Sequence, residues 1–378
     1  MATQAHRFFS LIHDPGIAQL IGQPADAGKA DAWPLAYFNL YLQKIGVQGG
    51  NTTALGRILE GMEQAGLLLR AGWWTKLAGV PMQGQLYISQ GVRSAQAAGN
   101  LWLSEALGAD LIIESYKAVT VAIGGNGKCG TGLVLDRTHL VTNKHVLMDV
   151  AGPDMEVTSP FAETQAPRGC HAVAHPTLDV AVIELQEVAE SEGFPILPGM
   201  VFREPAWADD VYLLGYPRVP WMVGTDITLQ RGEVVNPKIE VPPVRDDHTE
   251  ALGIIPERGK AFLYSAIARP GNSGGPIIAH DGRVIGLVVE DSAAFQSTDP
   301  SQRTRPDFPT LASICREVRQ FVTREAPDKP SHSEPAAAPF YRGIPAGEVV
   351  RAIEELSPAF EGRLEGIAIL EDSAWKSS

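Results

Sequence analysis

The stretch RPGNSGGPII, Arg269 to Ile278, sets Ser273 among Asn272 and three glycines, just ahead of an apolar run. It is either an ordinary tight turn or a backbone cradle around a nucleophile. A serine hydroxyl is a poor nucleophile near neutral pH, so the second reading needs a base elsewhere in the chain. It also needs amide N–H groups aimed at the oxygen that becomes negative. Gly271 and Ser273 can supply those amides if the backbone turns sharply, which glycine allows.

The neighbourhood of this stretch reads as β-structure. From about residue 111, short β-prone runs alternate with Gly, Pro, Asn and Asp: KAVTVAIGG, GTGLVLD, HLVTN, DVAVIEL, DVYLLGYP, ITLQRGEVV, AFLYSA, GPIIA and RVIGLVV. Many short strands with turn signals predict an all-β sandwich or barrel. RGEVVNPKIEVPPVRDDHTEALGIIPERGKAFLY is longer than an ordinary connection and reads as a long loop framing a cleft.

Two further segments carry candidate partners for Ser273. In GTGLVLDRTHLVTNKHVL, His145 directly follows a short strand, where a turn can present it to a cleft. In HPTLDVAVIEL, Asp179 precedes a strand. Imidazole is suited to take a hydroxyl proton near neutral pH, and a carboxylate can hold it in one tautomer. The three residues are 34 and 94 positions apart, room for several strands. Asp149 and Asp154 are rival acids, in a loop with no strand to fix them. His171 and His175 read as loop histidines, and His139 as an exposed turn residue.

The order His, Asp, Ser, with TNKHV, LDVAVIEL and GNSGGPI, resembles the trypsin-like, chymotrypsin-fold serine peptidases. It is most similar to the bacterial branch that includes the HtrA-type enzymes. The resemblance covers about residues 113–325. It implies a pair of six-stranded antiparallel β-barrels with the cleft between them. It also implies His145 as general base, Asp179 as its orienting acid, Ser273 as nucleophile, and Gly271 and Ser273 as oxyanion-hole amides. Ile267 stands where a trypsin carries its pocket aspartate, so an apolar pocket is expected from Ile267, Ala268 and Val289. Glu290 and Asp291 fall at its rim, either favouring a basic residue near the scissile bond or simply solvated.

Two departures bear on control. Cys129 stands at the first position of the disulfide that flanks the histidine in secreted digestive enzymes, but the partner position is Val146. Asn272 replaces the aspartate that in those enzymes pairs with a newly cut N-terminus. Activation by such a cut is therefore not expected. An HtrA-type enzyme would carry a PDZ domain after the barrel, and the length remaining does not accommodate one.

Composition narrows the setting. The 378-residue chain has a net charge of −13, from 44 acidic against 31 Lys and Arg residues. That balance counts against broad binding to nucleic acid or anionic membranes. No apolar run spans a membrane, and MATQAHRFFSLIHDPG does not read as a secretory signal. Cys129, Cys170 and Cys315 form no CxxC, so neither a disulfide framework, a thiolate metal site nor another cofactor is indicated. A cytoplasmic protein with reduced thiols is the expectation.

Residues 1–108 read as a mostly helical domain. AWPLAYFNLYLQKIGV has helical apolar spacing, and NTTALGRILEGMEQAG has a cap at Thr52 or Thr53 and Leu55, Ile58, Leu59 and Met62 on one face. With a following GQLYIS strand this resembles a winged helix, either a sensor or a packed adaptor, and it lacks a basic stripe. Residues 109–325 form the expected peptidase domain. TLASICREVRQFV reads as an amphipathic helix, residues 326–340 as a linker, and 341–378 as a helix, AGEVVRAIEEL, with a tail. The expected function is an intracellular serine endopeptidase acting on protein or peptide, regulated through residues 1–108 or a protein partner. The alternative is a protease-fold binding or scaffold protein of a bacterial stress or defence system.

Overall fold

The computed structural model describes residues 1–24, 30–47, 52–74, 83–92, 94–159, 170–185, 193–219, 226–241, 259–289 and 340–372. The predicted TLASICREVRQFV helix, the 326–339 linker stretch and Cys315 lie outside them.

The N-terminal module holds α1 (Ala2–Phe8), α2 (Pro15–Leu20), β1 (Trp33–Pro34), α3 (Leu35–Lys44), α4 (Thr52–Gln64), β2 (Leu68–Trp73) and β3 (Gln85–Ser89). Asp14 caps α2, its carboxylate accepting the Gly16 and Ile17 N–H groups. Gly66, at φ +68°, follows the end of α4 as the sequence suggests. The strands run β1–β3–β2, antiparallel. Phe8, Phe9, Trp33, Phe38, Leu42, Leu59 and Met62 fill the core. A side chain at Gly61 would put Cβ 2.4 Å from the Ala106 carbonyl oxygen, so α4 packs closely on α5 (Ser104–Leu107).

After α6 (Ala109–Tyr116), the first β unit contains β4 (Thr120–Gly125), β5 (Lys128–Val134), β6 (His139–Thr142), β7 (Glu156–Thr158), β8 (Cys170–Ala174) and β9 (Ala181–Leu185). A helix, α7 (Lys144–Val150), follows β6. The six strands run β7–β4–β5–β6–β9–β8, antiparallel throughout. β9 is buried on both faces, so its near-continuous apolar run is what the core requires.

The second unit contains β10 (Phe202–Arg203), β11 (Asp210–Gly215), β12 (Thr228–Val241), β13 (Gly259–Tyr264), β14 (Pro276–Ala279), β15 (Val284–Val289) and β16 (Tyr341–Pro345). The order β14–β11–β12–β13–β16–β15 closes into a six-stranded barrel through the β14–β15 pairing. This is the expected chymotrypsin-like, mainly β architecture, except that among the described residues the first unit is an open six-stranded half-barrel, with no pairing between β7 and β8.

Several expectations change. Half of the segment read as a cleft loop belongs to the antiparallel pair β12 and β13, and residues 242–258 lie outside the described residues. Residues expected to be a helix and tail first supply β16, inserted between β13 and β15. The predicted helix follows as α8 (Ala346–Leu356), and the tail forms β17 (Leu370–Glu371), which pairs with β10. Val349, Val350, Ile353 and Leu356 of α8 share one core with Ile183 and Leu185 of β9. Each such side chain, fully buried, contributes about 1.5–3 kcal/mol.

Residues 94–116 strap the N-terminal module to the second barrel at the turn between β14 and β15. Gln96 donates to the Asp281 carbonyl at 3.0 Å, and the Tyr116 hydroxyl to that of Gly282 at 2.8 Å. Around this turn Arg203 bonds Asp209 and Asp281, and Arg283 bonds Asp281 and Glu371. Ser94 closes the cluster on Glu371. Among the described residues no helix is long and apolar enough to cross a membrane.

Candidate active site

β6 ends at Thr142, and Asn143 turns the chain into α7 with His145 in its first turn. His145 therefore opens a helix rather than sitting in a turn. Asp179 ends the short connection between β8 and β9. Pairing of β6 with β9, Thr142 opposite Ala181, brings these two strand ends together. His145 Nδ1 lies 2.7 Å from Asp179 Oδ2, and the His145 backbone N–H donates to Asp179 Oδ1 at 2.9 Å. Asn143 Nδ2 donates to the Asp179 carbonyl oxygen at 3.0 Å. A carboxylate at Nδ1 holds that proton in place and leaves Nε2 as the acceptor of the neutral ring. The two side chains are 40% and 32% exposed, so the pair faces a cleft rather than the core.

Ser273 lies where the second unit meets β5 of the first and is almost fully buried, as is Asn272. The Thr131 N–H donates to the Ser273 carbonyl at 2.9 Å, and Gly274 N–H to that of Val288 at 3.0 Å. Gly271 has φ +99° and Gly274 φ +82°, conformations that side chains disfavour. At Gly274 a Cβ would also fall 2.2 Å from both the Thr131 carbonyl and Thr142 Oγ1, and 3.1 Å from the Asn143 nitrogen. The serine loop is thus pressed onto β5 and β6, against the residue two positions before His145. The Thr131 hydroxyl adds a strut: it donates to the Gly271 carbonyl and accepts the Tyr216 N–H.

Cys129 and Cys170 are free thiols, and Val146 packs against Gly130. The Cys129 Sγ lies 3.2 Å from where a Gly271 Cβ would be. Of the expected pocket residues, Ala268 and Val289 are buried and Ile267 is 47% exposed. Glu290 and Asp291 lie outside the described residues. Asp149 pairs with Lys128, and Asp154 accepts the Asn126 N–H, so neither rival acid serves His145.

Two histidine readings need correction. His139 is buried at the start of β6, with Nδ1 2.8 Å from Asp136 Oδ2. Burial opposes charge on Asp136, but hydrogen bonds from His139 and from the Thr138 and His139 amides outweigh it and hold the carboxyl below its usual range. His175 does lie in the connection between β8 and β9, where it is buried and bonded to Glu355 of α8. His171, expected in a loop, is the second correction: it lies within β8 and is about two-fifths exposed. Neither Thr131 nor Glu355 stood out in the sequence. The GTG run hinted at a crowded strand, but nothing near Glu355 pointed 180 residues back to His175.

Residues 130–287 match the family model of the trypsin-like peptidase domain. The chain carries a trypsin-like peptidase domain. The two β units extend past that match, since β4 begins at Thr120 and β16 ends at Pro345. The domain is similar to the inactive form of the Rv3671c protease of M. tuberculosis, at 22% identity over 66% of this chain and 94% of that one, TM-score 0.42. The active form of that protease matches at 25% identity over 47% and 72%, TM-score 0.35. A serine endoprotease from Yersinia pestis matches at 15% identity over 65% of each chain, TM-score 0.37. No curated protein matches the chain. Among the described residues of the peptidase domain and its flanking modules, no group of three or more His, Cys, Asp or Glu side chains is arranged to hold a metal ion.

Proposed function

We propose that the chain is a serine endopeptidase in which His145, Asp179 and Ser273 form the catalytic triad. The observation that carries this reading is the doubly bonded His145–Asp179 pair, on strand ends against which the Ser273 loop packs. In the proposed reaction Ser273 Oγ attacks the substrate carbonyl carbon while His145 Nε2 takes its proton. The Gly271 and Ser273 N–H groups bind the oxyanion. The imidazolium, stabilised by Asp179, protonates the departing amine and leaves an acyl-serine. Water, deprotonated by His145, then releases the acid and regenerates Ser273.

Ile267, Ala268 and Val289 are proposed to line the pocket for the side chain before the scissile bond, favouring an apolar one. Glu290 and Asp291 are proposed to favour a basic residue nearby. Substrates with Arg replaced by Ala that are cleaved at equal rates would remove the second proposal. An intracellular setting, and control through the N-terminal module by a protein partner, complete the reading. The strap from that module to the β14–β15 turn supports such control.

Labelling with a fluorophosphonate serine probe tests the triad. Uptake by the native protein, and by neither Ser273→Ala nor His145→Ala, is the expected result. A folded native protein that stays unlabelled, alone and with cell lysate added, would favour the scaffold alternative.

A further inference from the structure

We infer that His175 and Glu355 are positioning residues that hold the Asp179 turn against α8, an inference that rests on the triad reading above. His175 is 2% exposed and takes no part in the proposed chemistry. Its Nδ1 faces two backbone N–H groups, Leu178 at 2.9 Å and Thr177 at 3.3 Å. A nitrogen that accepts amide protons carries none of its own, so these partners assign the ring proton to Nε2. Nε2 in turn lies 2.7 Å from Glu355 Oε2 and donates to it. The His175 backbone N–H donates to the Val180 carbonyl at 2.8 Å.

Asp179 therefore sits between two residues, Leu178 and Val180, that are both tied to His175. The ring is the strut inside a six-residue connection, His175 to Val180, and its far end is fixed by α8. That helix is itself seated by Val349, Ile353 and Leu356 in the shared core. Arg351, one turn earlier on α8, also reaches Glu355, at 3.4 Å. The hydrogen bond from His175 is the main cause holding the Glu355 carboxyl below its usual range. A carboxylate on the C-terminal helix thus sets an imidazole, the imidazole sets a turn, and the turn sets the acid that orients His145.

Leucine at 175 fills similar space but offers neither nitrogen. Asparagine keeps an acceptor near the Nδ1 position but does not reach Glu355. Glutamine at 355 still accepts from Nε2–H, and alanine does not. The readouts are acylation and peptide hydrolysis, together with the low-field proton NMR resonance of a short His–Asp hydrogen bond, assigned with Asp179→Asn. His175→Leu should lower kcat about 10- to 100-fold through misplacement of the acid. KM should change less than about twofold, as for groups that do not bind substrate. The resonance should shift or broaden. His175→Asn should recover part of both signals, Glu355→Gln should resemble the native protein, and Glu355→Ala should fall between.

A folded His175→Leu protein with native resonance and native rates would overturn the inference. If that variant does not fold, Glu355→Ala against Glu355→Gln decides: equal resonances and equal rates overturn it. Should the native protein show no probe uptake, alone and with cell lysate added, the peptidase reading fails, while the resonance comparison still decides whether His175 positions Asp179.

Discussion

The Thr131 hydroxyl donates to the Gly271 carbonyl oxygen at 2.7 Å, joining a strand of the first β unit to the loop that carries Ser273 in the second. The Thr131 hydroxyl oxygen also accepts the Tyr216 N–H at 3.0 Å, and the Thr131 carbonyl accepts from the Thr142 hydroxyl at 2.7 Å. Segments of both β units therefore meet at one fully buried side chain. Thr131→Val preserves the shape and deletes the hydroxyl, leaving the Tyr216 N–H without its acceptor. Acylation by the serine probe should slow about 10- to 100-fold, the usual consequence of a small misplacement at a reacting centre. Thr131→Ser should restore most of the rate. Equal rates for Val and Thr would show that the strut is dispensable.

Asp179→Asn removes the charge and leaves the fold. An amide at this position can present its N–H to His145 and stabilise the wrong ring tautomer. In trypsin-like triads that change costs about ten-thousand-fold in kcat. The expected acylation rate is lower by that order, while the thermal midpoint changes little. Stopped-time labelling at several pH values measures it. A loss under tenfold would mean that another group supports His145.

Gly274 is held at φ +82° and packed to 2.2 Å on two oxygen atoms from where a Cβ would stand. Left-handed strain alone costs of order 1–3 kcal/mol, and here backbone must also move. Gly274→Ala should lower the thermal midpoint and abolish probe uptake together. Calorimetry with labelling checks it, and a variant that keeps its midpoint would contradict the close packing.

How far the sequence revealed this arrangement depended on the range of each interaction. The nine β-prone runs correspond to β4, β5, β6, β9 and β11–β15, because alternation and turn residues are local signals. His145, Asp179 and Ser273 were legible as candidates because strand ends with small neighbours mark places where side chains can converge. β16 was hidden because its partners β13 and β15 end far upstream, and YRGIP carries no strand signal of its own. The burial of His139 and His175 was not legible, because their hydrogen-bond partners, Asp136 and Glu355, come to them only through the fold. Tertiary pairing of this kind leaves no periodicity to read.

Asp281 joins the strap to the second barrel and predicts a pH-dependent stability. Burial works against its charge, but Arg203 and Arg283 outweigh it and hold the carboxyl below the usual range. A depressed folded-state value means that the stabilisation is complete above the ordinary carboxylate range, near pH ~4, and is lost as the pH falls through the folded value. Asp281→Asn should therefore destabilise the protein at neutral pH by roughly 3–5 kcal/mol, the usual result of removing one partner from a buried ion pair. The gap between native and variant should close on acidification toward pH ~3. Urea unfolding at both pH values measures it. A gap that stays constant would mean that Asp281 contributes through packing rather than charge.

The position of β16 predicts where the chain can be cut. Ending it after residue 325, the boundary that the sequence suggested, deletes a strand paired on both sides, Phe262 with Gly343 and Leu287 with Ile344. It also removes α8, whose apolar face covers the first unit, and Glu355 with it. β13 and β15 would then present open edges, which favour association between chains. Val288, whose carbonyl accepts the Gly274 N–H, would lose its β16 neighbour, so the damage reaches the serine loop. A 1–325 fragment should be aggregated or lack a cooperative unfolding transition, whereas a 1–372 fragment should unfold cooperatively and take up the probe. Circular dichroism melts and labelling of both fragments check it. A soluble, cooperative 1–325 fragment would show that the barrel closes without its last strand.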